Sequence, residues 1–252
     1  MTTSLLIDAL GLPSDTRVDR RIPKTLLLEH GAPTAADKRL IQGGIEELLW
    51  VAALKPTNIG VPAYKDEARE YLEIAVILAS LREGAKSVRL TELIHRAIPY
   101  HVVLWTEYEG SVSLSLAHKR WSLGESGEVV VEEVCRTAPF HPDSPTTIES
   151  AFLGSLAVAA LPKHDLSALY QGWLDRVAAL EAARITGTFT LPDTTDGAAA
   201  QRRAVAAHTT LERDVAMLRA QAEREQQVSR RVELNLAIKR LVVELSATAE
   251  AL

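Results

Sequence analysis

The most regular hydrophobic pattern in the chain is an alternation with a period of two in residues 100–108 and 111–118. In the second run three aliphatic residues alternate with serines: Val112, Leu114 and Leu116. This spacing predicts a strand that turns its aliphatic face to the core and its serine face to water. The Glu-Gly pair at 109–110 is typical of a hairpin turn. The pattern therefore predicts an antiparallel hairpin.

Three further segments are predicted to be strands of the same sheet. Residues 45–54 and 128–135 are apolar runs of strand length, and residues 71–81 are apolar on both alternating faces from Ile74 onward. A strand that is apolar on both faces is typical of the centre of a covered sheet. A short helix is predicted to end before Pro99, because proline disfavours helical backbone in the residue before it. The order of elements predicts an α+β fold with a mostly antiparallel five-stranded sheet and flanking helices.

The chain divides into four predicted parts. Residues 1–146 carry all the strand patterns, and residues 147–186 show helical patterns alone. Residues 187–197 are rich in threonine, glycine and proline and are interpreted as a linker. Residues 198–252 contain neither glycine nor proline, which favours one long helix or two consecutive helices.

The C-terminal part carries two series of apolar residues that step by three and four, as in a coiled coil. The main members of the two series are Leu211, Val215 and Leu218, followed by Leu234, Ile238, Leu241 and Leu245. The two series are out of phase, and the residues between them (225–231) are mostly polar. Either the helix folds back as a hairpin at this point, or it continues with a stutter.

A long helix with an apolar stripe requires something to cover that stripe. An unbroken helix over residues 198–252 would be about 80 Å long at 1.5 Å per residue. The covering partner could be a second copy of the chain, another protein, or the helix predicted over residues 166–185; folding of the tail onto its own domain is also open. We expect oligomerisation through the two apolar series.

Composition limits the classes of function. The 252 residues include 47% hydrophobic and 24% charged residues, typical of a globular protein, and the net charge of −5 provides no overall attraction to DNA or to membranes. The single cysteine excludes an internal disulfide framework and favours a cytoplasmic location. No apolar run is long enough to predict a transmembrane helix.

Motifs that would indicate catalysis are absent. The sequence contains no phosphate-binding glycine loop, no dinucleotide-binding glycine turn, no HExxH or CxxC pair and no GxSxG nucleophile motif. We therefore expect no cofactor, no metal and no catalytic residue. One alternative is a divergent metal-dependent nuclease, for which Glu70 and Glu73 at the start of the predicted central strand are the candidate carboxylates.

Two clusters of basic residues are candidates for binding anions or nucleic acid. The first consists of Arg17, Arg20, Arg21 and Lys24, and the second consists of His118, Lys119 and Arg120. Cations in these clusters could bind phosphate groups. The alternative interpretations are a solvated turn for the first cluster and an exposed basic strand end, which protects a sheet edge, for the second.

Four short motifs resemble one family. They are residues 22–24 (IPK), 49–50 (LW), 97–100 (AIPY) and 117–120 (AHKR). Together with the order of the predicted elements, they resemble an uncharacterised bacterial family, the domain of unknown function 4391, across residues 1–250. The matching positions include Lys24, Pro99, Tyr100, Lys119 and Arg120.

The resemblance implies a context and no chemistry. Members of that family are often encoded beside helicases and DNA methyltransferases in restriction-like or anti-phage loci, so the resemblance implies an accessory role with such a protein as partner. Our leading hypothesis is a non-catalytic accessory or assembly subunit of a bacterial defence or DNA restriction-modification-like system. The alternatives are a nucleic-acid-binding module that uses the basic clusters and a divergent metal-dependent nuclease.

Overall fold

The structure is a computed structural model that describes residues 2–122, 129–250 and 252. The chain forms two compact units, Met1–Val177 and Ala178–Leu252. The first unit holds all eight strands of the described residues, and the second holds the C-terminal helices. No helix in the described ranges is long and apolar enough to cross a membrane.

The first unit is built on a six-stranded sheet with the strand order β1-β2-β5-β6-β7-β8. Its strands are β1 (Arg17–Arg21), β2 (Ile45–Leu54), β5 (Ile74–Leu81), β6 (His101–Tyr108), β7 (Ser111–Trp121) and β8 (Val129–Arg136). A separate two-stranded ribbon consists of β3 (Tyr64–Lys65) and β4 (Glu70–Tyr71). All neighbours in the large sheet are antiparallel except β5 and β6, which are parallel. The helix between β5 and β6 makes that parallel pair possible, because parallel strands need a crossover connection.

Helices cover both faces of this sheet. In the first unit they are α1 (Thr2–Ala9), α2 (Lys24–His30), α3 (Ala35–Gly44), α4 (Pro56–Ile59), α5 (Ser87–Ala97), α6 (Thr147–Ser155) and the first part of α7 (Leu166–Thr186). One face packs against α2, α3 and α5, whose Leu27, Ile41 and Ile94 share a buried cluster with Leu104 of β6. On the other face Trp105 of β6 contacts Phe140, which contacts Phe152 of α6.

The predicted fold class is confirmed, with one correction to the number of strands. The sheet has six strands and not five, because residues 17–21 form the edge strand β1 on β2. The segment RVDRR shows no apolar alternation in the sequence, and four of its five residues are exposed in the structure. An edge strand is held by backbone hydrogen bonds to one neighbour, so a charged segment can occupy it without burying a charge. The predicted antiparallel hairpin is confirmed as β6 and β7, and β8 pairs antiparallel with β7.

The expectation that the serines of β7 face water is wrong at Ser115. Ser111 and Ser113 are partly exposed, but Ser115 is buried, and its Oγ lies 3.0 Å from Nε2 of His95 in α5. The alternation itself is correct, because Leu104 and Ser115 lie opposite each other on one face and Trp105 and Leu114 on the other. The alternation shows which residues share a face of the strand. Here the helix α5 covers the serine face at Ser115, so that face is buried as well.

The second unit settles the choice between a hairpin and one long helix. Helices α8 (Thr195–Arg224) and α9 (Val228–Glu250) pack against each other, and the residues between them, 225–227, are not helical. The helix α8 begins three residues before position 198, since Thr194 caps it by accepting a hydrogen bond from the backbone N–H of Gly197 at 3.1 Å. The predicted linker, residues 187–197, therefore includes the first turn of α8.

Candidate functional site

The strands β6 and β7 separate at one end, and side chains fill the gap between them. Their register runs from Tyr108 opposite Ser111 to Leu104 opposite Ser115. Beyond that point the hydroxyl of Tyr170, from α7, donates to the carbonyl of Val102 at 2.9 Å and accepts from the backbone N–H of Ala117 at 2.8 Å. The Tyr170 side chain thus replaces a ladder contact between the two strands.

Lys119 lies in the same gap and is 1% exposed. Its Nζ donates to the carbonyls of Ile98 and Tyr100, and its backbone N–H donates to Nε2 of His101 at 3.2 Å. Ile98 caps the C-terminus of α5, where the helix dipole favours a cation. Burial lowers the pKa of the Lys119 amine to about 7. The amine therefore fastens the turn at residues 98–100 to β7.

Three histidines surround this lysine and occupy different environments. Burial, assisted by Lys119, lowers the pKa of His95 to about 3 and that of His101 to about 2, so both rings are neutral at pH 7. The His101 ring stacks on Tyr71, with 3.6 Å between ring centroids and 15° between planes. His118 hydrogen bonds to Gln171 Oε1 through Nε2 at 2.9 Å, and its Nδ1 lies against the Tyr71 hydroxyl.

The geometry assigns a tautomer to His118. Because an amide oxygen only accepts, Nε2 of His118 carries the proton, and Nδ1 accepts from the Tyr71 hydroxyl. The Gln171 amide nitrogen continues the chain by donating to Asp175 at 2.9 Å. Burial raises the pKa of Tyr71 above its ordinary value, so the phenol stays protonated and keeps donating.

A cleft of about 250 Å³ opens beside this network, and we call it the Tyr100 cleft. Its apolar lining residues are Leu72, Pro99, Tyr100, Trp121 and Val129, and its polar lining residues are Glu70, Glu73, His101, Lys119 and Arg120. Two of the apolar side chains are strongly exposed, Leu72 at 51% and Tyr100 at 46%. His101 and Lys119, by contrast, are buried. The most exposed of the lining residues are therefore apolar or aromatic, and His101 and Lys119 lie beneath them.

The charged side chains of the Tyr100 cleft form ion pairs. Glu70 pairs with Lys65 at 2.7 Å, and Glu73 pairs with Lys55 at 3.0 Å. Arg120 lies 3.9 Å from Glu132 and donates to the carbonyl of Trp121 at 3.3 Å. One carboxylate oxygen is an exception, since Oε1 of Glu73 is buried without a hydrogen-bond partner among the described residues.

The carboxylates proposed for a nuclease lie nearer to a lysine than their sequence positions indicate. Glu70 and Glu73 line the same cleft as Lys119. Metal-dependent cleavage needs carboxylates that can bind the ion. Within the described ranges, no three His, Cys, Asp or Glu side chains are grouped so that they could hold a metal ion. The nuclease alternative remains a prediction.

The two basic clusters do not come together. The first lies on β1 and at the start of α2, and three strands separate β1 from the β7 residues of the second, about 19 Å at 4.8 Å per strand. Arg17 pairs with Asp19 at 2.7 Å, Arg21 pairs with Glu47, and Lys24 donates to the carbonyl of Ile45. Arg20 is exposed. The two clusters therefore lie apart on this sheet, and the nucleic-acid alternative remains a prediction.

The residues proposed for oligomerisation lie in the hairpin of α8 and α9. On α8, Val215 is buried, and Leu211 and Leu218 are partly buried. The series on α9 is partly buried throughout: Leu234, Ile238, Leu241 and Leu245. Since α8 and α9 pack against each other, these positions supply the apolar seam of the hairpin itself.

The sequence did not indicate the α7 residues that complete the network. Tyr170 and Gln171 lie in a helix whose apolar stripe explains its burial, and nothing in their spacing predicts contact with β6 or β7. The only signal is chemical, because a buried tyrosine needs a hydrogen-bond partner. The family motifs are partly explained by packing, because Lys119 binds the carbonyls on both sides of Pro99.

Comparison with protein families matches residues 10–245 to one family model, described as a domain of unknown function (DUF4391). Comparison with curated proteins and comparison with solved structures give no match. The family match covers nearly the whole chain and both units.

Proposed function

Because the chain belongs to the DUF4391 family, for which no activity is defined, we propose a function from the geometry of its cleft. We propose that the protein is a non-catalytic assembly subunit of a bacterial defence or DNA restriction-modification-like system and that it acts by binding other proteins. One observation carries the proposal: the Tyr100 cleft exposes apolar and aromatic side chains, whereas its ionisable groups are buried or paired.

The state of the ionisable groups favours binding over catalysis. A general acid or base must reach the proton that it transfers, and a nucleophile must reach its target. Lys119 is buried and bonded to two carbonyls, and His101 is stacked and accepts a backbone hydrogen bond. Glu70 and Glu73 are paired with lysines. These contacts instead hold the side chains beneath the exposed residues of the cleft in fixed positions.

The rim has the composition of a protein-binding surface. Aromatic residues are enriched at the centres of protein interfaces, where they supply a large apolar area at a small entropic cost. Tyr100 and Trp121 line the cleft together with Leu72, and the hydrogen bonds of Lys119 hold the Tyr100 backbone in place. This arrangement supports the docking of an apolar segment of a partner protein.

The proposal divides the work between the two units. The sheet unit docks a partner, for which a helicase or a DNA methyltransferase is our expectation, and the helical hairpin brings copies of the chain together. The defence setting is inferred from the family resemblance, because members of that family are often encoded beside helicases and DNA methyltransferases. The binding role is inferred from the cleft.

The test is co-purification from cells that naturally produce the protein, with mass spectrometry to identify what binds. Leu72→Glu and Tyr100→Glu place a charge on exposed positions of the rim, so the fold should be retained. Val88→Glu is a matched control, because Val88 on α5 is 47% exposed and does not line the cleft.

We expect a helicase or methyltransferase with the wild type and with Val88→Glu, and its loss with both cleft variants. Circular dichroism of each variant checks that the fold is intact. A partner that remains bound to both cleft variants, or a wild-type protein that purifies without any partner, would contradict the proposal.

A further inference from the structure

The helix α9 carries a second apolar stripe that the hairpin leaves uncovered. Its members are Val228, Val232, Leu236 and Val243, and they are 66%, 52%, 53% and 65% exposed. At 100° per residue these four positions fall within an arc of about 80°. The partly buried series of Leu234, Ile238, Leu241 and Leu245 lies on the opposite side of the helix. None of the α9 side chains is fully buried in the described residues.

A single exposed aliphatic residue needs no explanation, but four on one arc of one helix do. A helix that is apolar on two opposite sides is typical of the middle of a layer, with a helix packed on each side. In this unit α8 covers one side. The stripe therefore requires a second helix.

The charges beside the stripe indicate which helix covers it. Glu233 and Arg240 lie on the same flank of α9, both are exposed, and neither forms an ion pair within the described parts of the chain. If two copies of α9 pair antiparallel with Leu236 at the two-fold axis, Glu233 of one copy lies level, within one residue, with Arg240 of the other. Two-fold symmetry produces this contact twice.

The same register matches the apolar residues. Leu236 meets Leu236 of the second copy, and Val228 lies within one residue of Val243 of the second copy. Val232 faces Lys239, whose aliphatic stem can cover it while the ammonium stays in water. In a parallel two-fold pair, the flank that carries Glu233 and Arg240 would lie on opposite sides of the interface in the two copies, so these two side chains could not meet.

We propose that α9 pairs with α9 of a second copy of this chain, antiparallel, through the stripe of Val228, Val232, Leu236 and Val243. This deepens the proposed function, because it names the partner of the hairpin and assigns self-association to a surface that the hairpin leaves exposed. The proposed function requires the Tyr100 cleft, whereas this pairing does not, so the two can fail separately.

The first test is mass in solution by light scattering on the full chain. We expect twice the chain mass of 27.5 kDa for the wild type and a shift to the single-chain mass for Leu236→Glu. Met217→Glu on α8 is the matched control, since Met217 is 52% exposed and lies outside the stripe. A single-chain mass for the wild type at all concentrations would overturn the pairing.

The second test fixes the register. Glu233→Arg and Arg240→Glu should each weaken the dimer at least tenfold, and the double variant should restore it, because the exchanged charges again face each other. In a Cys135→Ser background, Leu236→Cys should form a disulfide-linked dimer under mild oxidation, and Met217→Cys should not. A dimer without the Leu236→Cys cross-link, or a double variant as weak as the single ones, would overturn the antiparallel register.

Discussion

The two buried histidines beside Lys119 make the stability of the sheet unit depend strongly on pH. His95 is 0% exposed and His101 is 3% exposed. Burial and the neighbouring Lys119 lower the pKa of His95 to about 3 and that of His101 to about 2. In the unfolded chain both imidazoles return to a pKa of about 6.5. Each histidine is therefore neutral in the folded protein at pH values at which the unfolded chain binds a proton.

The sign follows from this difference in proton binding. A group with a lowered pKa in the folded state contributes stability that is present above pH 6.5 and is lost as the pH falls towards its folded value. At pH 5, protonation of each histidine stabilises the unfolded state by about 2 kcal/mol, or by about 4 kcal/mol for both together. The free energy of unfolding should then fall by about 2.7 kcal/mol per pH unit between pH 6 and pH 4 from these two groups alone. Lys119 changes stability in the same direction but at higher pH, between its folded pKa of about 7 and its ordinary pKa of 10.5, so it adds nothing to the slope below pH 6.

Urea unfolding at pH 7.5, 6.0 and 5.0 measures this dependence. All four tryptophans lie in the sheet unit, so their fluorescence reports its unfolding alone. His95→Gln is the test variant, and the quantity compared is the slope of the unfolding free energy against pH, not the absolute stability. We expect the slope below pH 6 to fall by about 1.4 kcal/mol per pH unit in the variant. Equal slopes in variant and wild type, or equal wild-type stability at pH 7.5 and pH 5.0, would refute the assignment of neutral buried histidines.

Three further predictions concern the gap between β6 and β7 and the alternative functions. Tyr170→Phe removes the hydroxyl that bonds Val102 and Ala117 and should destabilise the sheet unit by about 1–3 kcal/mol in the same urea assay, because buried polar groups lose their partner; a change near zero would show that the hydroxyl is replaceable. The nucleic-acid alternative predicts DNA binding that weakens steeply with salt and whose salt slope drops by about one on Arg20→Ala; binding insensitive to salt would contradict it. The nuclease alternative predicts cleavage with Mg²⁺ or Mn²⁺ that Glu73→Gln abolishes, and cleavage that survives the substitution would exclude Glu73 as a ligand.

Local periodicity was sufficient for most of the fold. The alternation in residues 111–118 and the Glu-Gly turn before it predict the β6–β7 hairpin, and the apolar run after Ile74 predicts a covered central strand, as the structure has it. The strand β1 was missed because edge pairing is decided by backbone hydrogen bonds, which leave no pattern in a charged segment. Ser115 was misplaced because the sequence shows which residues share a face but not whether a helix covers it.

The sequence predicted less of the candidate site than of the fold. His118, Lys119 and Arg120 are adjacent in the chain, yet they have three different environments: a hydrogen-bonded chain to α7, a buried amine at the end of α5, and a partly exposed guanidinium. The sequence separates the two faces of a strand, but the elements that cover those faces come from residues tens of positions away. The burial of Lys119 is thus a property of the packing of α5 and β7.

The amino-acid sequence was enough to predict the class of fold, the β6–β7 hairpin, the helical character of the last residues and the two apolar series in them. All of these depend on short-range spacing, which each segment carries within itself. Three features required the packed structure: the two series face each other in a helical hairpin, a second stripe on α9 stays exposed, and Tyr170 and Lys119 fill the gap between β6 and β7. These features depend on contacts between distant segments, and their free energy is gained only when those segments meet.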